Sequence, residues 1–171
     1  MLFVADEFEK YTGVFGDSLA ASYLASAQEI VENYLQFPLE SRDYTTIVKS
    51  TGRAYVRAQA RPITELRSVK IDGAEYPLED FSFCNEYVYR NAQNFAENSI
   101  VEIEYTAGFT AETLPQTIKS TVWQIAALRQ IESGQNIGVS SKSFADSGTR
   151  VFLSTRKYDD FLIHLSKWKF K

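Results

Sequence analysis

Hydrophobic periodicity changes twice along this chain, and the two changes limit the folds open to it. Leu19, Tyr23, Ala27, Ile30, Val31 and Tyr34 recur at steps of three and four, the spacing of one buried face of an amphipathic helix. Pro38 ends the pattern, because proline lacks the backbone donor a helix interior needs. From Tyr44 to Tyr105 the period falls to two, in short runs rich in Val, Ile, Tyr and Phe. Helical spacing then returns with Ile118, Val122, Ile125, Ala126 and Leu128. Strands gathered in one block, rather than alternating with helices, pair antiparallel and do not build a parallel sheet. The predicted class is α+β: a small helical bundle of two long helices plus short N- and C-terminal helices, with an inserted antiparallel β-lobe. One domain is expected over 1–171. Its helical core is 1–42 and 107–134, its β-lobe 43–106, and its tail 135–171 a flexible loop, short strand and C-terminal helix.

Local signals fill in this frame. A short helix over Asp6–Tyr11 is ended by Gly13, and Asp17 or Ser18 supplies the cap for the next, Ser18–Leu35. Ser50-Thr51-Gly52-Arg53 reads as a hairpin turn between strands, and Asp72-Gly73 as a tight two-residue turn. Thr113 is the expected cap of the second long helix, with Pro115 near its first position, where a missing N–H costs nothing. Gly134–Gly148, rich in Gly, Ser and Asn, reads as a flexible segment. Val151-Phe152-Leu153 and a helix over Thr155–Trp168 follow, with Tyr158, Phe161, Leu162, Leu165 and Trp168 on one side.

Composition removes function classes. The 171 residues fit one domain. No apolar run nears the ~18 residues of a membrane span, and Asp6, Glu7 and Glu9 stand where a signal peptide would be basic and apolar. No membrane partner is expected. His164 is the only histidine and Cys84 the only cysteine. His164, among Leu162, Ile163 and Leu165, reads as a surface or interface residue, and Cys84, between Phe83 and Asn85 in a strand, as a small buried hydrophobe. No zinc-like or calcium-like spacing occurs, and the stretch from Gly134 to Ser143 misses the spacing of a phosphate loop. Asp159-Asp160 and Glu79-Asp80 are neighbours that do not share a face, and Glu102 and Glu104 read as a solvated edge. No catalytic residue, cofactor or metal is expected.

The net charge of −4 is a difference between two halves: residues 1–112 carry 18 acids and 9 bases, residues 113–171 carry 4 acids and 9 bases. Lys167-Trp168-Lys169-Phe170-Lys171 interleaves bases with aromatic rings. That tail reads as a docking peptide anchored by aromatic side chains. The alternative is a nucleic-acid-binding module using the basic C-terminal third.

The order of elements is specific. Arg61–Gly73 lies in the β-lobe, Tyr105-Thr106-Ala107-Gly108-Phe109 closes a strand, and Leu114-Pro115-Gln116-Thr117-Ile118-Lys119 opens a long helix. Over about residues 17–133 this succession resembles the head–tail connector (neck adaptor) proteins of tailed bacteriophages. The resemblance implies a family-motif core of Tyr105, Gly108, Phe109, Leu114, Pro115 and Ile118. It implies a non-catalytic homo-oligomeric ring, typically of twelve copies, on the portal protein at the capsid vertex. Such a ring contacts a tail, stopper or tail-terminator protein and passes double-stranded DNA without reading its sequence. It would be assembled in the host cytoplasm and reside in the virion neck. Phe161, Leu165, Trp168, Lys169, Phe170 and Lys171 are the expected partner-docking residues.

Overall fold

The computed structural model describes residues 2–133, 141–144, 148–151 and 158–169. The chain divides into a helical unit, Phe3–Gln36 with the chain from Leu114 onward, and a β unit, Phe37–Thr113. The class is α+β, with helices and antiparallel sheets.

In the helical unit, α1 (Ala5–Thr12) buries Phe8 and stops at Gly13, which takes a left-handed φ of 74° and donates its N–H to Glu9 O at 2.8 Å. α2 spans Ala20–Leu35, α3 Gln116–Ser133, and α4 (Asp159–Leu162) runs on into a 3₁₀ turn, Ile163–Trp168. α2 packs on α3, α1 touches both, and α4 with its 3₁₀ extension lies against α3. The buried stripe of α2 is Ala20, Leu24, Ala27, Val31 and Leu35. It is turned by about one residue from the expected stripe, so Leu19 is exposed and Tyr23, Ile30 and Tyr34 lie on its flanks. Two neighbouring columns of α2 are apolar; period alone does not choose between them. On α3, Ile118, Val122, Ile125 and Ala126 are buried, and Thr121 joins them in place of Leu128 by donating its hydroxyl to Thr117 O at 2.9 Å.

The β unit contains, among the described residues, β1 (Arg42–Thr51), β2 (Tyr55–Arg57), β3 (Ile63–Ile71), β4 (Ala74–Tyr76), β5 (Phe81–Cys84), β6 (Tyr87–Arg90) and β7 (Glu97–Ala107). They form a four-stranded sheet in the order β1-β7-β3-β4 and a three-stranded sheet in the order β2-β6-β5. One core joins the sheets: Val56, Phe81 and Val88 from the smaller, Val69, Ile71, Val101, Ile103 and Tyr105 from the larger, with Phe95 between strands. Asp72 and Gly73 have φ of 52° and 82° and link the paired residues Ile71 and Ala74. Two positive φ values define the hairpin turn whose twist matches its strands.

Three local expectations are corrected. Gly52 does not close a hairpin: β1 pairs with β7 and β2 with β6, so the turn passes the chain from one sheet to the other. Cys84 is exposed, because it ends β5 beside the Asn85-Glu86 turn. Glu102 and Glu104 lie on the solvent face of β7, an inner strand, not on an edge. There Lys70 Nζ reaches Glu102 at 3.1 Å and Glu104 at 3.9 Å. These carboxylates hold the Lys70 ammonium above its ordinary pKa, first through the Glu102 hydrogen bond and then through charge.

Within the tail, β8 (Ser141–Phe144) lies inside the stretch expected to be flexible and pairs antiparallel with β9 (Gly148–Val151), which starts at the last residue of that stretch and takes in Val151 of the expected strand. The rest of that stretch, Phe152-Leu153 of the expected strand and residues 155–157 of the expected helix lie outside the described residues.

Candidate functional site

Tyr105, Gly108 and Phe109 of the connector-like motif lie in a knot that closes the β unit. The Tyr105 side chain is fully buried, and its ring stacks on Tyr44 with centroids 5.7 Å apart. Its hydroxyl accepts the backbone N–H of Gln59 and of Ala60, each at 3.1 Å, and shares a 2.9 Å hydrogen bond with Thr46 Oγ1. Tyr105 thereby ties β7 and β1 to the chain segment between β2 and β3. Three residues on, Gly108 has φ of 112°, and a Cβ there would lie 2.7 Å from Glu40 O. The absence of a side chain lets the strand leaving β7 run alongside the segment entering β1. The contact is fixed by Phe109 N–H to Leu39 O (2.7 Å) and Ser41 N–H to Phe109 O (3.0 Å), while Gly108 N–H turns the other way to Pro62 O (3.0 Å), just ahead of β3. Phe109 is buried here, and Leu114 and Ile118 are buried in the helical unit. Pro115 is half-buried, and its carbonyl accepts the N–H of Ile118 and of Lys119. Thr113 does not cap α3. Its hydroxyl accepts Thr110 N–H at 2.9 Å while Thr110 Oγ1 accepts Thr113 N–H at 3.3 Å, a closed loop ahead of the helix.

The docking expectation meets a mixed placement. Leu165 is fully buried, so in this conformation it serves the helical core and is not offered to a partner. Phe161 and Trp168 are half-buried, and Lys169 is exposed with its ammonium 5.0 Å from the Tyr34 ring centre. Phe170 and Lys171 lie outside the described residues. His164 is exposed. Among the described residues no group of His, Cys, Asp and Glu is placed to hold a metal ion, and no helix is long and apolar enough to cross a membrane.

Features with no sequence expectation attached stand out on each unit. Between α1 and α2, Val14 and Phe15 project from a turn framed by Gly13 and Gly16, both with positive φ; Phe15 is 70% exposed. Asp17 fixes that turn, accepting Leu19 N–H at 2.9 Å and the Gln130 side-chain amide at 2.6 Å. Nearby, Tyr11 and Trp123 form a shallow aromatic groove, their rings 5.2 Å apart. Lys119 lies over Trp123 at 4.8 Å and pairs with Glu7 at 2.8 Å. On the smaller sheet Tyr55, Tyr87 and Tyr89 form an aromatic cluster beside Arg53. The two glycines flanking Val14-Phe15 were the readable sign of the first; the others depend on long-range pairing.

Comparison with the curated proteins finds no match. Solved structures share the fold. A chain from the neck of an empty GTA particle, computed with C6 symmetry, aligns at TM-score 0.62 and 17% identity, covering 99% of this chain and 90% of that one. A chain from the neck of a native GTA particle, computed with C12 symmetry, aligns at 0.62 and 15%, covering 98% and 88%. A chain from the virion of a native gene transfer agent particle gives 0.60 and 18%, covering 99% and 90%. The profile of the head completion protein family matches residues 2–128, which takes in α1, α2, the whole β unit and most of α3. On that match the chain belongs to the head completion protein family.

Proposed function

We propose that this chain is a non-catalytic structural protein of the virion neck. Copies form a ring on the portal protein at the capsid vertex, receive a tail, stopper or tail-terminator protein on the other side, and extend the channel for double-stranded DNA. The observation that carries the reading is the family match over residues 2–128. The shared fold with chains of GTA necks, solved with C6 and C12 symmetry, supports it. Charge agrees: residues 1–112 hold 18 acids against 9 bases, and an acidic channel wall lets a polyanion slide without sticking. Twelve copies would join head to tail through two different surfaces, the kind of contact that closes into rings. The helical bundle supplies the portal-facing docking through Phe161, Trp168 and Lys169, with Phe170 and Lys171 beyond them.

Native mass spectrometry of the chain with and without its cognate portal tests the reading. A ring that appears only on the portal is expected, and a chain that ignores portal assemblies overturns it. Truncation after Ser166 is expected to leave the fold intact and abolish portal association. Unchanged association moves the docking surface elsewhere.

A further inference from the structure

The four-stranded sheet ends on one side at β1, and the hydrogen bonds of its neighbour reveal which backbone groups of β1 face outward. Ile100 of β7 spends both its groups on the far side: its carbonyl accepts Asp72 N–H at 2.8 Å and its N–H donates to Asp72 Oδ1 at 2.8 Å. In an antiparallel ladder the two backbone groups of a residue point the same way. Lys49, opposite Ile100, therefore directs its N–H and C=O away from β7. By alternation so do Ile47, Thr45 and Asp43. All four residues are exposed, and Ile47 is 63% so. Among the described residues no strand pairs with this side of β1. A row of open donors and acceptors this long is a template for another strand.

We propose that the partner is a second copy of the same edge, paired antiparallel about a two-fold axis through Thr46. Only registers that set outward residues opposite outward residues allow the ladder, and the one centred on Thr46 also matches charge. Asp43 then faces Lys49 of the second copy, at both ends of the pairing, and Thr45 faces Ile47. Asp43 is held on the solvent face by Arg67 at 2.6 Å and by Thr106 Oγ1 at 3.0 Å. About eight backbone hydrogen bonds form across the axis, and Ile47 loses its exposure on both copies. Opposite charges directly across such a pair are favourable and like charges are not. The pairing is independent of the neck reading. A two-fold contact uses one surface twice and does not propagate around a ring, so it belongs to the free chain.

Sedimentation velocity of the whole chain across micromolar to millimolar concentration tests this. The wild-type chain is expected to pass from monomer to dimer, and hydrogen exchange at the Thr45 and Ile47 amides to slow as it does. Lys49→Asp, an exposed change that sets Asp against Asp at both ends, is expected to weaken the dimer at least tenfold. Adding Asp43→Lys to it restores opposite charges and is expected to recover the dimer. Circular dichroism confirms that each variant folds. A chain that stays monomeric throughout overturns the proposal. So does a dimer indifferent to Lys49→Asp, or one that the double exchange does not recover. Failure to bind portal bears on the neck reading alone.

Discussion

A phenolic hydroxyl has one proton to give and two lone pairs to fill, and Tyr105 uses all three, giving to Thr46 and taking from Gln59 and Ala60. Tyr105→Phe keeps the ring stack but leaves the buried Ala60 N–H without that acceptor. The expected loss is ~1–3 kcal/mol, read as a shift of the denaturant midpoint at unchanged slope. At Gly108 the obstacle is steric, since the Cβ of an alanine meets the backbone of Glu40 and Ser41 at a φ side chains rarely adopt. Gly108→Ala is expected to cost ~2 kcal/mol or more, seen as a melting point lower by several degrees. The motif residues could be picked out by resemblance, but the reason for each was out of reach. Tyr105 and Gln59 meet only because β7 and the segment after β2 are brought together by the fold. Cys84 shows the same gap, because alternation along β5 says nothing of the turn that leaves its end in solvent.

Elements were legible where the signal is local. Gly13 stops α1, and Asp72-Gly73 turns β3 into β4, because positive φ at those residues is a property of the residues themselves. The Gly52 turn looks the same in sequence and does something different, since its strands find partners elsewhere. The entry to α2 offers a measurement. The Asp17 carboxyl lies below the ordinary aspartate pKa, mainly because of the Gln130 amide and then of Leu19 N–H. A pKa lowered by folding means that the folded state favours the ionised form. Its contribution is therefore complete above the unfolded-state value of about 4 and fades as pH falls through the folded one. Asp17→Asn is expected to melt below wild type at pH 7 and to converge with it in acid, as thermal scans across pH would show. Convergence in alkali instead would reverse the sign. Lys70 runs the other way, its contribution present below its unfolded pKa and lost as pH rises through the raised folded value.

At the scale of the whole molecule, the change of period from helical to alternating and back was enough to give the class and the existence of a β insert. It could not give the division into two sheets, which rests on pairing between β7 and strands far from it in the chain. The insert leaves the helical unit at Phe37 and is finished by Thr113, and Phe109 hydrogen-bonds its two ends together, donating its N–H to Leu39 O and accepting Ser41 N–H. This clasp has a kinetic and entropic side. Joining α2 to α3 through an open chain of that length costs closure entropy that grows as (3/2)RT ln n. With the ends clasped, the helices are joined by only the few residues outside the clasp, about a tenfold shorter path, which lowers that cost by roughly 2 kcal/mol. A β unit that folds first would thus hand the helices a short tether, and its own length would drop out of their folding.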